Sequence, residues 1–179
     1  AKNIKQCLAS VAEQSYQNIE HLIIDGGSTD GTLEKIKSLK TVSKIVSEPD
    51  NGIYDALNKG IKMATGEVIG FVHSDDQLYS LDTIKNIAEF FIATAADGVY
   101  GNLDFVDHED TSKVVRKWIS NSFQPKSINY GWAPPHPTLF LRKEVYEKHG
   151  LFDTSLKISG DYDFMLRIMK SPDIRLEYL

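Results

Sequence analysis

The chain is short of cysteine, of long apolar runs and of surplus positive charge, and each shortage removes a class of protein. Cys7 is its one cysteine, so no disulfide can form within the chain and no zinc site can be assembled from cysteines. A reducing compartment is compatible with that usage. The longest apolar stretches, such as Val68-Ile69-Gly70-Phe71-Val72, fall far short of the roughly 20 residues that a membrane-spanning helix needs. No signal peptide is read at the start. Twenty Lys and Arg stand against 25 Asp and Glu, a net charge of −5, which argues against nucleic-acid binding by bulk basic charge. No repeat, low-complexity tract or linker is visible.

What is present describes one globular domain. The 179 residues are 41% hydrophobic and 25% charged, enough to bury a sizeable core. Ile4, Cys7, Leu8, Val11 and Ala12 share one helical face, and Asn3 with Gln6 resembles a capping box. Residues 19–25 read as a buried strand that ends in Asp25. A Gly-rich loop follows, then a helix over 32–39 with Asp30 as its cap. Residues 44–47 read as a strand, 49–52 as a turn and 54–64 as a helix. A strand over 67–72, an acidic loop over 73–76 and a helix over 81–95 complete the first half. Such alternation predicts a mostly parallel sheet flanked by helices. The second half is mixed. Strands are expected over 98–106 and 113–118, joined by a polar loop. Residues 120–137 carry Pro125, Pro134, Pro135 and Pro137 and read as a functional loop, because aromatics and His interrupt it. A strand over 138–141, helices over 143–149 and 159–169, and a strand starting near 174–176 end the chain.

Three carboxylates, Asp25, Asp75 and Asp76, fall where strands end. Ligands of open α/β sheets bind in the crevice beyond those ends. Carboxylates this close repel unless a cation or hydrogen-bond donors offset the charge, and a hard ion such as Mg²⁺ or Mn²⁺ takes such oxygens together with substrate phosphates. Strand-end Asp residues also cap turns. The loop Gly26-Gly27-Ser28-Thr29-Asp30-Gly31-Thr32 offers backbone N–H groups and a helix start that suit an anion, although Gly and Asp also make plain turns. It lacks the Lys of a Walker loop. Asp161-Tyr162-Asp163 opens the last helix, where the dipole favours acids. Residues two apart point to different faces, so at most one of the pair turns toward the crevice. The five His residues show no i, i+4 spacing. His136, in Pro134-Pro135-His136-Pro137, is either structural or a substrate contact. Trp132 either stacks on a sugar or packs, and Lys59 is either solvated or meets a phosphate.

In this order the pieces resemble the family 2 glycosyltransferases of the bacterial polysaccharide type, which have the GT-A fold. The residues that carry the resemblance are Gln14-Ser15-Tyr16 before Ile19-Glu20, then Ile24-Asp25 with the loop to Thr32. They continue with Ser47-Glu48-Pro49-Asp50-Asn51-Gly52-Ile53-Tyr54-Asp55-Ala56, Asn58-Lys59-Gly60 and Thr65-Gly66-Glu67. Ser74-Asp75-Asp76 and Gly160-Asp161-Tyr162-Asp163-Phe164-Met165-Leu166-Arg167 close the series.

The resemblance implies an inverting, metal-dependent transfer of sugar from a nucleoside-diphosphate donor to a hydroxyl acceptor, a saccharide or lipid-linked saccharide of cell-surface polysaccharide synthesis. It implies Asp161 as catalytic base. It assigns Asp25, Gly27, Ser28, Asp30, Asp50, Lys59 and Asp75 to the nucleotide, Asp75 also to a Mn²⁺ or Mg²⁺ ion, and Asp76, Trp132 and His136 to the acceptor side. His73 stands where the family's metal motif has its first acid, and Gly160 where a Glu often precedes the base. Family domains open on an apolar strand, whereas Ala1 leads almost directly into a helix. The resemblance thus implies that residues 1–179 form one catalytic domain lacking its first strand and cut short past Leu179. It also implies a cytoplasmic setting at the inner membrane face, with peripheral membrane contact through regions outside these residues. Two other readings fit the sequence less well: a metal-dependent nucleotidyltransferase, which would release pyrophosphate, and a degenerate, non-catalytic domain that binds a sugar nucleotide.

Overall fold

The computed structural model describes residues 4–37 and 41–179. Asn3 of the expected capping box and residues 38 and 39 of the expected second helix lie outside the described residues. The order of elements is α1 (Ile4–Ala12), β1 (Leu22–Asp25), α2 (Thr32–Lys37), β2 (Lys44–Ser47), α3 (Ile53–Met63), β3 (Val68–Ile69), α4 (Thr83–Ala93), β4 (Gly98–Tyr100), β5 (Leu103–Val106), β6 (Val114–Trp118), β7 (Phe140–Arg142), α5 (Lys143–His149), α6 (Gly160–Met169) and β8 (Leu176–Tyr178). Short 3₁₀ turns at Pro125–Tyr130 and His136–Thr138 break the irregular segment between β6 and β7. No helix among the described residues is long and apolar enough to cross a membrane.

β1 and β2 pair in parallel from Leu22 opposite Lys44 to Asp25 opposite Ser47. A four-stranded sheet has the order β3-β7-β4-β8. β3 and β4 both run antiparallel to β7, and β8 runs parallel to β4. Three of its strands therefore point one way and β7 alone runs against them. The sequence alternation of the first half covers β3; β4, β7 and β8 all belong to the mixed second half. β5 and β6 form a separate antiparallel hairpin.

Alternation along the strands divides the core into two layers. Tyr100 and Leu141 face a cluster with Tyr54 and Ile61 of α3, Val145 and Tyr146 of α5, and Phe164, Met165, Ile168 and Met169 of α6. Their neighbours Val99 and Phe140 face the other way, onto Ile87 and Phe91 of α4. The rings of Tyr146 and Phe164 stack with centroids 5.1 Å apart. Burying a side chain of that size contributes about 1.5–3 kcal/mol. Arg142 of β7 caps the end of α4 by donating to the carbonyls of Ala96 at 2.9 Å and Phe91 at 3.2 Å.

Three expected strands are shorter by more than a residue in the structure, and the one over 19–25 is limited to Leu22–Asp25. The strand over 67–72 is limited to Val68–Ile69; Gly70, next along the chain, lies against the Phe140 ring, where a Cβ would come within 2.1 Å of it. The strand over 98–106 breaks at Gly101-Asn102. Gly101 N–H donates to Thr138 Oγ1 at 3.2 Å, and Asn102 Oδ1 accepts from Ser120 N–H at 2.8 Å. Those bonds turn the chain out of the main sheet and into the hairpin.

Candidate functional site

Polar side chains gather in two clusters beyond the strand ends, and α3 contributes to both. The first is built on Asp25, the last residue of β1, which is 8% exposed. Its Oδ2 accepts from Gly27 N–H at 3.1 Å, Ser28 N–H at 2.9 Å and Ser47 Oγ at 2.6 Å. Burial pushes its pKa up, but hydrogen bonds from Ser28, Ser47 and the two amides outweigh burial and hold the carboxyl below its ordinary value. A buried charge is tolerated only when donors satisfy it in this way. One expectation is corrected here. The N–H groups of Gly27 and Ser28 are not free for a ligand; they hold Asp25. Gly27 makes this geometry with φ of 84°, a conformation that L side chains rarely adopt.

Asp50 closes over the same loop. A Cβ at Gly26 would meet Asp50 Oδ2 at 2.9 Å. Lys59 Nζ lies 2.7 Å from Asp50, 3.0 Å from Glu48 and 3.3 Å from Asp55. Its pKa is raised, first by the hydrogen bond to Asp50 and then by that to Glu48. Lys59 thus ties the 48–50 turn to α3, with its charge matched by carboxylates. Asp30 heads α2 as expected, and its Oδ1 accepts Thr32 N–H at 3.2 Å and Thr32 Oγ1 at 2.6 Å.

The second cluster unites three segments far apart in sequence. Asp161, in the first turn of α6, is reached by His136 from the 3₁₀ turn, with Nδ1 3.2 Å from Oδ2. Tyr54 of α3 donates its hydroxyl to Oδ1 at 3.0 Å. The His136 ring meets the His73 ring edge-on at 5.5 Å, and His73 O accepts the Asp76 N–H at 2.9 Å. Asp163 turns away and pairs with Arg167 at 3.1 Å, so one of the two acids faces the cluster, as the helical spacing requires. The floor beneath is apolar. Leu57, Phe71, Phe152 and Phe164 join His73, His136 and Asp161 around a cavity of about 20 Å³, room for about one water. Over this floor, burial lowers the pKa of His136, the nearby Asp161 opposes that shift, and His73 adds to it. Burial raises the pKa of Asp76, partly offset by His73 and reinforced by Asp75.

Trp132 is placed by packing: it stacks on Phe123 at 5.7 Å and meets Tyr100 edge-on at 5.8 Å. Asp75 is exposed at the turn after His73. Among the described residues no group of three or more His, Cys, Asp or Glu could hold a metal ion. An exposed carboxylate beside a half-buried one still suits Mg²⁺ or Mn²⁺, which commonly bind through one or two carboxylates plus substrate phosphates. The sequence assigns no individual role to Tyr54 or Ser47, and nothing in their spacing points to partners in other segments.

Comparison with known proteins extends this picture. Residues 1–150 match the model of a family described as Glycosyl transferase family 2. A "PGL/p-HBAD biosynthesis glycosyltransferase" of Mycobacterium bovis is 29% identical over 182 residues, covering 97% of this chain and 67% of its own length. S. aureus TarS superposes with a TM-score of 0.81 at 23% identity, over 99% of this chain and 54% of the TarS chain. A mannosyltransferase of Pyrobaculum calidifontis, in complex with GDP-Man and Mn²⁺, superposes with a TM-score of 0.67 at 19% identity, over 100% of this chain and 53% of its own. At these identities the two structures speak for the fold. The chain spans about half the length of either.

Proposed function

The chain belongs to glycosyl transferase family 2, and from that premise we propose that it transfers a sugar, with inversion, from a nucleoside-diphosphate donor to a hydroxyl acceptor. The observation that carries the reading is Asp161, a carboxylate held at one oxygen by Tyr54 and at the other by His136. A base fixed in this way can receive the acceptor's proton as its oxygen attacks the anomeric carbon. Attack on the face opposite the departing diphosphate inverts that carbon, by the geometry of inverting hydrolases. No covalent intermediate is required.

Asp25, with Gly27 and Ser28 bracing it, accepts hydrogen bonds from the base or ribose through its second oxygen. Asp50, held by Lys59, lines the same pocket, and Asp30 flanks it at the head of α2. Asp75 would hold a Mn²⁺ or Mg²⁺ ion, which when bound supplies Lewis-acid stabilisation of charge on the leaving diphosphate. Asp76 and His136 lie on the acceptor side, with Trp132 shaping that loop from behind. The donor class is supported by TarS, which has been crystallised with UDP-GlcNAc, and by the Pyrobaculum calidifontis mannosyltransferase in complex with GDP-Man and Mn²⁺. A saccharide or lipid-linked saccharide at the cytoplasmic membrane face is the acceptor we infer.

Asp161→Asn tests the assignment. The variant keeps a hydrogen-bonding side chain of nearly the same shape but cannot take the proton. Transfer should fall by about 10²–10⁴-fold, the usual share of a positioned base, while affinity for UDP or GDP with Mn²⁺ stays at the wild-type value. Wild-type turnover in that variant would refute the role.

A further inference from the structure

Tyr54 stands in the first turn of α3, and its hydroxyl is engaged twice at the start of α6. It accepts the Gly160 N–H at 2.8 Å and lies 3.0 Å from Asp161 Oδ1. A phenol has one proton to give. The amide takes a lone pair, so the proton is directed at the carboxylate. The ring itself is 8% exposed and stacks near Phe152 with centroids 5.8 Å apart. It also occupies the space beside Gly160, where a Cβ would come within 2.7–2.9 Å of three ring carbons. The absence of a side chain at 160 and the presence of a ring at 54 are thus one fitted contact. Burial and the bond to Asp161 raise the pKa of the Tyr54 hydroxyl, which keeps it a donor at neutral pH.

We propose that Tyr54 is a positioning residue for Asp161: its hydroxyl fixes the rotamer of the carboxylate, and its ring fixes the first turn of α6 that carries it. This rests on the reading of Asp161 as base. The same helix carries Asp55 and Lys59, which are bonded to the 48–51 turn on the nucleotide side. Tyr54 therefore also links the segment that lines the donor pocket to the group that takes the acceptor's proton. Through Asp161 it acts on turnover, whereas Lys59, through Asp50, acts on donor binding.

The test is Tyr54→Phe, which keeps the ring against Gly160 and removes only the hydroxyl. The donor is whichever nucleotide sugar the wild-type protein turns over in a screen with Mn²⁺. The expected result is a fall in kcat on the order of 10- to 100-fold, as for a misplaced reacting group, with an unchanged donor KM and an unchanged Kd for UDP or GDP with Mn²⁺. An unchanged kcat overturns the proposal. So does a KM or Kd that worsens in step with kcat, since that marks a general structural role. If Tyr54→Phe melts below the assay temperature, Gly160→Ala carries the test: its methyl pushes the ring, and the hydroxyl with it, off Asp161. A folded Gly160→Ala protein with wild-type kcat also overturns the proposal. Asp161→Asn separates the two levels. An active Asp161→Asn protein sinks the base assignment itself, whereas an inactive one beside a fully active Tyr54→Phe protein sinks only the positioning role.

Discussion

Asp25 and Asp161 solve the same problem differently. Asp25 is a buried charge whose Oδ2 is held by two amides and a serine, and its pKa lies below the ordinary value. A carboxyl lowered on folding stabilises the protein fully above its unfolded pKa, near pH 4, and the contribution fades as pH falls through the lower, folded value. Asp25→Asn keeps an acceptor oxygen but loses the charge. It should cost roughly 1–2 kcal/mol at pH 7, the difference between charged and neutral hydrogen bonds. The gap in melting temperature to wild type should narrow below about pH 4. Thermal melts of both proteins between pH 7 and pH 3 measure this, and a gap that does not change with pH would contradict it. The positions of Asp25 at a strand end and Asp161 at a helix start were legible in the sequence because such ends are marked locally. Tyr54 was not, since its partner lies 107 residues away and no local periodicity encodes the pairing. The free amides expected at Gly27 and Ser28 failed for a related reason: composition shows that a Gly-rich loop has donors, but not which acceptor takes them.

Elements with both ends marked by sequence were read to the residue. β2 (Lys44–Ser47) and α5 (Lys143–His149) are as expected, the first bounded by a polar segment and a Pro turn, the second by Gly150. The strand expected over 98–106 was misread because its apolar run continues through Gly101, while the tertiary bonds of Gly101 and Asn102 split it between two sheets. The direction of β7 was equally invisible, since pairing partners are not written in a three-residue apolar run. Gly98, in β4, shows how tightly these strands fit. A Cβ there would come within 2.3 Å of a Leu141 methyl and 2.7 Å of a Leu176 methyl. Leu141 is fully buried and has no room to retreat. Gly98→Ala should destabilise the protein by about 1–3 kcal/mol through overpacking, a fall of roughly 2–12 °C in a domain of this size. An unchanged melting temperature would show that the sheet relaxes more freely than its packing implies.

For the molecule as a whole, the proposed donor site would link binding to stability, because Asp25, Asp50 and Asp75 come from different segments that only the folded state can hold in place. A ligand at 100 times its Kd stabilises the folded state by about 2.7 kcal/mol, which corresponds to a rise of roughly 5–11 °C in melting temperature for a chain of 150–250 residues. UDP or GDP with Mn²⁺ should give a shift of that size for whichever nucleotide the site prefers, and the nucleotide without the ion should give less. Asp75→Ala should lose the part that depends on Mn²⁺ and keep the part that depends on the base and ribose, since Asp25 and Asp50 are untouched. Asp161→Asn should keep the whole shift, because the proton acceptor makes no ground-state contact with the nucleotide in the proposed arrangement. An Mn²⁺ effect of equal size in wild type and Asp75→Ala would remove Asp75 as the ligand. Loss of the shift in Asp161→Asn would place that residue in the donor pocket rather than at the acceptor. The three proteins together therefore separate holding the donor from taking the proton, without the acceptor being identified.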